Sequence, residues 1–98
     1  MRRLLSVTDQ RVTVDLDIPW GIHPQVALRD EAFGALAYHY GTRRLLFLKS
    51  KELVELVSSL EQFGTATEAI DALVTEPERP RYRQALSRLA ASEVICAR

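Results

Sequence analysis

Residues 33–50 read FGALAYHYGTRRLLFLKS, and this segment decides how the chain folds. It predicts two antiparallel strands, residues 33–40 and 43–48, joined by a turn at Gly41-Thr42 in which the glycine supplies a positive φ. Ser50 has the side chain and the position of a helix N-cap, so a helix should follow at once. We therefore expect a hairpin that leads directly into a helix.

The second strand of this hairpin is apolar on both faces. Leu45, Leu46, Phe47 and Leu48 follow one another without a polar break, whereas a solvated edge strand normally carries charged or polar side chains. Something should therefore cover this strand. The pattern does not show which of its alternate residues point outward.

Two further strands are predicted upstream of the hairpin. Residues 25–29 place Val26 and Leu28 on one face, and Asp30-Glu31 is expected to form the next turn. Residues 11–17 alternate strictly between polar and apolar, as in a half-buried strand. This strand could pair with residues 25–29 or with a second protomer, which would make a homodimer, and the sequence leaves both open.

The segment between these strands, residues 18–24, reads IPWGIHP. Two prolines and a glycine in seven residues predict an irregular linker. Burial of the Trp20 ring would attach this linker to the domain.

Two helices are predicted immediately downstream of Ser50. Apolar residues recur at helical spacing between positions 53 and 63, and Gly64 is placed to end the first helix. Thr65-Ala-Thr-Glu68 has the form of a capping box and should begin the second helix.

A third helix should begin at Pro77 or Pro80, since proline is favoured in the first helical turn. Its apolar stripe consists of Tyr82, Leu86 and Leu89, with Ala85 beside it. Residues 92–96 then form either a short strand or a tail packed on the core.

Strands followed by three helices indicate an α+β fold. Three short helices that carry a small antiparallel sheet form a winged helix-turn-helix, here with the sheet of three strands, plus the extra N-terminal strand, coming first. At 98 residues the chain should be a single domain. Within it, residues 1–24 are the N-terminal strand and linker, and residues 25–98 are the winged-helix part.

Composition narrows the classes of function. Apolar residues make up 47% of the chain, and 13 basic residues balance 13 acidic ones. The single cysteine, Cys96, excludes an internal disulfide. No signal peptide and no apolar run of membrane-spanning length is recognisable, so we expect a cytoplasmic protein.

The sequence carries no recognisable catalytic constellation. It has no nucleophile elbow, no glycine-rich phosphate loop and no Cys-x-x-Cys motif. His23 and His39 lie far apart without a carboxylate at metal-ligand spacing, so no metal site is expected. We therefore expect a protein that is not an enzyme and that needs no cofactor.

Binding is the function that remains, and two segments suit it. One is the apolar strand at 43–48, flanked by basic residues. The other is the third helix, which carries Arg79, Arg81, Arg83 and Arg88 beside its apolar stripe. If the two meet at a groove, an extended peptide could add to the strand through main-chain hydrogen bonds, and the basic flanks would favour an acidic peptide. The alternative for Leu86 and Leu89 is that they belong to the core.

Three segments carry a resemblance to a known family: IHPQVALR at 22–29, FGALAYHYG at 33–41 and RLLFLKS at 44–50. They resemble the peptide chaperones of the mycofactocin system, the MftB family, which is similar to the PqqD-like RiPP recognition elements. The resemblance covers residues 15–94, most of the chain.

The resemblance implies a winged helix-turn-helix that binds the leader of a ribosomally made precursor peptide and delivers it to a radical SAM maturase. It further implies that the leader docks as an added strand on the third strand, against the third helix. The peptide-binding residues would then be Arg43, Arg44, Leu45, Leu46, Phe47, Leu48, Tyr82, Ala85, Leu86 and Leu89. No catalytic residue, metal or cofactor is implied for this chain.

Two further hypotheses complete the sequence-based expectations. The strand at 11–17 could occupy the peptide edge until the leader displaces it. The alternative function is a DNA-binding winged helix, which the arginines of the third helix would suit. The net charge of zero disfavours that alternative, because phosphate binding needs a basic surplus.

Overall fold

The computed structural model describes residues 14–98, in which two antiparallel sheets pack with three α-helices. The α+β class is confirmed. In chain order the elements are β1 (Trp20–Ile22), β2 (Val26–Glu31), β3 (Gly34–His39), β4 (Arg44–Leu48), α1 (Lys51–Ser59), α2 (Ala66–Leu73), α3 (Arg79–Ala91) and β5 (Ile95–Ala97). Short 3₁₀ segments, Leu60–Gln62 and Glu76–Glu78, follow α1 and precede α3.

The larger sheet has the strand order β2-β3-β4. Both strand pairs are antiparallel and in continuous register, with Glu31 opposite Gly34 and Ala35 opposite Leu48. Within residues 14–98, β4 therefore has a paired edge towards β3 and an open edge on its other side.

The turn between β2 and β3 lies two residues later than predicted. Asp30 and Glu31 are paired with β3, and the chain reverses at Ala32-Phe33. Gly34 follows with φ 151°, and a Cβ there would collide with the carbonyl oxygen of Leu48. The glycine is thus needed because the end of β4 passes directly over it.

The turn between β3 and β4 is also wider than predicted. It comprises residues 40–43, and the left-handed conformation belongs to Arg43 (φ 64°) and not to Gly41. The N–H of Arg43 donates to the carbonyl of His39 at 2.8 Å. The His39 Nδ1 also accepts the N–H groups of Gly41 and Thr42, at 3.1 and 3.2 Å. The side chain of His39 thus hydrogen-bonds to the main chain of the wider turn.

The predicted linker contains a strand. Trp20–Ile22 pairs antiparallel with Ile95–Ala97. This pairing confirms a strand near the C-terminal end. The prediction that the linker is irregular throughout is wrong, because three of its residues form β1. Trp20 is buried, as expected, and its indole N–H donates to the carbonyl of Asp15 at 2.8 Å.

The predicted strand at 11–17 is not found where the structure describes it. Residues 11–13 lie outside the described part, and residues 14–17 lead into a turn at Leu16-Asp17. The carbonyl of Leu16 accepts the N–H of Thr67 at 2.9 Å, and that of Ile18 accepts the N–H of Ala66 at 3.2 Å. Residues 14–18 thus satisfy the first N–H groups of α2, which have no partner inside the helix. They do not lie on the β4 edge.

Both predicted helix caps are confirmed. The Ser50 hydroxyl accepts the N–H of Leu53 at 3.0 Å, and the Thr65 hydroxyl accepts that of Glu68 at 3.1 Å. The Glu68 carboxylate accepts the N–H of Gly64 at 3.2 Å, one residue before the N-cap Thr65 whose N–H a capping box would use. The helices cover one face of the larger sheet, where Leu48, Leu56, Ile70 and Leu86 are almost fully buried.

The end of α3 has an unusual residue. The N–H of Glu93 donates to Ala90 and that of Val94 to Leu89, at 3.0 and 2.9 Å, which is the Schellman pattern of a helix C-terminus. Glu93 takes the left-handed position, with φ 64°, where glycine is preferred. No helix within residues 14–98 is long and apolar enough to cross a membrane.

Candidate functional site

A groove lies between β4 and α3, as the sequence predicted. Its central depression has a volume of about 400 Å³ and an apolar floor. The residues that line it are Leu46, Phe47, Leu48, Leu53, Ala85, Arg88, Leu89, Ala91 and Ser92. They come from β4, the start of α1 and one side of α3, so the second strand of the hairpin and two of the three helices build this depression together.

Two shallower depressions extend the groove at either end. One, of about 200 Å³, is lined by Lys49, Ser50, Leu53, Arg81, Tyr82 and Ala85. The other, of about 270 Å³, is lined by Thr42, Arg44, Ala91, Ser92 and Glu93. Because each shares two residues with the central depression, the three form one track. Its length along α3 is about 18 Å, which matches five or six extended residues at about 3.3 Å each.

The side chains of β4 alternate between this track and the opposite face of the sheet. Leu48 is buried and Leu46 half-buried on the helix side. Leu45 and Phe47 are 52% and 57% exposed on the other face, with Phe47 also bordering the groove at its rim. The structure thereby resolves which alternate residues of the strand point outward.

The outward face of the sheet is an apolar surface. Five of the six exposed large hydrophobic side chains in residues 14–98 belong to the larger sheet or its turns: Phe33, Tyr38, Tyr40, Leu45 and Phe47. Their rings meet edge-on in two pairs, with centroids 5.8 and 5.9 Å apart. A contiguous patch of this kind is characteristic of a surface that meets another molecule.

The predicted helix residues divide between groove and core. Tyr82 and Leu89 are each 7% exposed and border the groove, with Ala85 between them. Leu86 is fully buried and lines none of the three depressions, so for this residue the core alternative is confirmed. Arg43 and Leu45 also lie outside the track, in the turn and on the outward face.

Sequence reasoning missed several residues of the track. Leu53 begins the apolar stripe of the first helix, and this pattern does not show that the residue also borders an opening. Lys49 directly follows the predicted strand, and Arg81 and Arg88 are among the arginines of the third helix, but charge alone does not show that these three line the site. Glu93 carried no signal except its place after the last helical stripe.

The charges that line the track are unbalanced. It contains four basic residues, Arg44, Lys49, Arg81 and Arg88, and one acidic residue, Glu93, so its formal charge is 4 − 1 = +3. The chain as a whole has a net charge of zero. Among the described residues, Arg81 pairs with Glu78, and the other three basic side chains have no carboxylate within 4 Å.

The fold also brings His23, His39 and Glu93 together, with potential ligand atoms within 4.8 Å of one another. The His39 ring is 3% exposed, and its Nε2 is buried without a hydrogen-bond partner, 3.8 Å from the Glu93 carboxylate. The Nδ1 atoms of both rings accept main-chain N–H groups, that of His23 from Gln25 at 3.0 Å. In a neutral ring this puts the hydrogen on Nε2, which then cannot bind a metal. The cluster therefore suits loop positioning better than metal coordination.

Comparisons with known proteins identify the family. The model of the Peptide chaperone MftB family matches residues 19–96. A protein named peptide chaperone MftB from Mycolicibacterium smegmatis is 42% identical over 87 residues, covering 88% of this chain and 85% of its own length. Its namesake from Mycobacterium tuberculosis is 42% identical over 85 residues, covering 86% and 78%. No solved structure is matched significantly. From the span of the family match and the identity to these relatives, the chain belongs to the Peptide chaperone MftB family.

Proposed function

We propose that this chain is a non-catalytic chaperone that binds the leader of a ribosomally made precursor peptide in mycofactocin biosynthesis. In this proposal it presents the bound peptide to a radical SAM maturase, which carries out the chemistry. The observation that carries the proposal is the open edge of β4 beside an apolar groove. Membership of a peptide chaperone family supports a peptide as the occupant of this groove.

The leader would dock as an additional strand on β4. Main-chain hydrogen bonds would supply affinity, and every second side chain of the peptide would enter the groove. Seven of the residues expected from the sequence border the track and would contact those side chains: Arg44, Leu46, Phe47, Leu48, Tyr82, Ala85 and Leu89. Arg43 and Leu45 would act from the turn and the outward face, and Leu86 would support α3 from the core.

The fold in this proposal is a winged helix-turn-helix whose wing is the β3–β4 hairpin. The support for it is the succession of three helices after the hairpin, with α3 beside the edge strand. In a DNA-binding protein of this class, a helix would enter the major groove. Here the basic side chains of α3 stand beside an apolar depression instead, which suits a peptide better than a phosphate backbone.

The proposed docking mode is compatible with presentation to a maturase. A leader held along about 18 Å of β4 uses only five or six residues. The remainder of the precursor would then lie outside the groove, where a second protein can reach it. Delivery to a separate enzyme requires that one short segment of the precursor is bound and that its reactive segment stays free.

The experiment is a titration of fluorescently labelled leader peptide with the purified chain, followed by polarisation. We expect a Kd of about 1 μM or tighter. Leu46→Asp should abolish binding, because it puts a charge at the apolar centre of the groove. Ala27→Asp, on the opposite edge strand, is the matched control and should bind normally. Binding to duplex DNA that weakens steeply with salt, with no response to peptide, would contradict the proposal.

A further inference from the structure

The charges of the groove are arranged asymmetrically along its length. The Lys49 end is lined by Lys49 and Arg81 and by no carboxylate, although Glu78 pairs with Arg81 from outside the depression. At the other end Glu93 lines the depression together with Arg44, without an ion pair between them. The six acidic residues between positions 52 and 76 are all exposed, and none lines the groove. The lining is therefore cationic at the Lys49 end, contains Arg88 at the centre and is of mixed charge at the other end.

The Lys49 end also holds two hydroxyl groups at its base. The Tyr82 Oη and the Ser50 Oγ are 3.5 Å apart, and either can be the donor. A contact between the two hydroxyls uses only one of their two O–H hydrogens, and the Ser50 oxygen also accepts the N–H of Leu53 through a lone pair. The other O–H hydrogen remains available to donate to an incoming acceptor.

Two of the side chains at this end contact each other, and a third has no ion-pair partner. Tyr82 is 7% exposed, and the guanidinium of Arg81 lies over its ring at 5.4 Å from the centroid. Arg81 also pairs with Glu78. Lys49 has no carboxylate within 4 Å among the described residues, so its charge is open to a ligand.

The adjoining central depression has a different chemistry. Leu46, Leu48, Leu53, Ala85 and Leu89 give it a mainly apolar lining, with Arg88 and Ser92 as the polar residues, and its volume is about twice that of the Lys49 end. It suits one large apolar side chain. Because both depressions share Leu53 and Ala85, their occupants are neighbours on the same face of an added strand, where side chains two residues apart lie about 6.6 Å from each other.

Resting on the proposed function, we propose that the groove selects an extended segment with a large apolar residue and, two positions away, an aspartate or glutamate. The apolar side chain fills the central depression. The carboxylate accepts hydrogen bonds from Lys49, Arg81 and a hydroxyl of the Ser50–Tyr82 pair. Since Glu93 stands at the opposite end, the acidic residue also fixes which way the peptide lies along β4.

The test uses the labelled precursor leader and variants in which each of its acidic residues is replaced in turn by the uncharged amide. One such replacement should weaken binding about tenfold or more, as expected for a lost charge-assisted contact. Lys49→Glu and Arg81→Glu should weaken the unchanged peptide similarly. Arg83→Glu makes the same change of charge on α3 beside Val14 and Leu16, away from the groove, and is the matched control.

Rescue of binding by a second charge reversal, on the peptide, distinguishes a direct contact from a general effect of the net charge of the chain. A peptide whose critical acidic residue is replaced by lysine should bind Lys49→Glu better than it binds the unchanged chain. The inference is overturned if the affinity for the peptide falls equally in Lys49→Glu, Arg81→Glu and Arg83→Glu and no rescue is seen. That result leaves the proposed function intact. Failure of every peptide to bind the unchanged chain overturns the proposed function and this inference with it.

Discussion

A large side chain introduced on α3 tests whether the central depression holds the large apolar side chain of the peptide, which we call the anchor. Ala85 lies half-buried on α3 and borders both the central depression and the Lys49 end. In Ala85→Trp the new ring would occupy the space intended for the peptide side chain. No buried group is removed, and the change in helix propensity is below about 0.7 kcal/mol, so the fold should persist.

The expected loss of affinity follows from the burial that the ring prevents. Burying one large apolar side chain contributes about 1.5–3 kcal/mol. Since 1.4 kcal/mol corresponds to a factor of ten in Kd, the Ala85→Trp variant should bind the leader roughly 10- to 150-fold more weakly. The depression, at about 400 Å³, is large enough to hold such an anchor.

The assay is the polarisation titration, with thermal unfolding as the check on folding. Gln84→Trp places the same ring on the preceding residue of α3, at an exposed position that faces Val14 and Leu16 and lies outside the groove. It should leave the Kd within about threefold of the unchanged chain. If Ala85→Trp, correctly folded, binds as well as Gln84→Trp, the anchor does not occupy this depression and the docking argument is wrong.

Three further changes test the scaffold by thermal unfolding. Gly34→Ala should destabilise the chain by more than about 1 kcal/mol, because its Cβ would collide with the Leu48 carbonyl; an unchanged Tm would show that β4 can move away freely. Glu93→Gly should raise Tm by roughly 4–8 °C, since about 1 kcal/mol of left-handed strain is removed; a lower Tm would mean that the carboxylate stabilises the buried His39 ring. Arg98→Ala should lower the free energy of unfolding by on the order of 1–2 kcal/mol, because the partly exposed guanidinium donates to three main-chain carbonyls. An unchanged Tm would show that water replaces these hydrogen bonds fully.

What the sequence predicted well depends on neighbouring residues. Ser50 and Thr65 cap their helices because the groups that they bond lie three residues further on, so the signal is contained in a short window. The hairpin from β3 to β4 is similarly local. The pairing of Trp20–Ile22 with Ile95–Ala97 joins opposite parts of the chain, and no local pattern within a three-residue strand specifies its partner.

The turns show a second limit of sequence reasoning. Gly41 indicated a tight turn, yet the left-handed residue is Arg43, because the buried His39 ring binds the loop and widens it. A side chain that acts on the backbone in this way becomes visible only with the fold. The same holds for the groove, where the apolar pattern predicted the strand and the helix, but not that Leu86 lies beneath the surface while Ala85 borders the opening.

The open edge of β4 has a consequence for how copies of this chain behave in concentrated solution. Unpaired strand edges promote sheet-to-sheet aggregation, and a strand that must stay open for a ligand cannot be shielded by a permanent neighbour. Arg44 and Lys49 flank β4 at its two ends without carboxylate partners among the described residues. When two such edges approach, these like charges repel over roughly the Debye length, about 8 Å at physiological ionic strength. Raising the salt concentration should therefore increase light scattering by the free protein, while an acidic ligand should suppress it by occupying the edge.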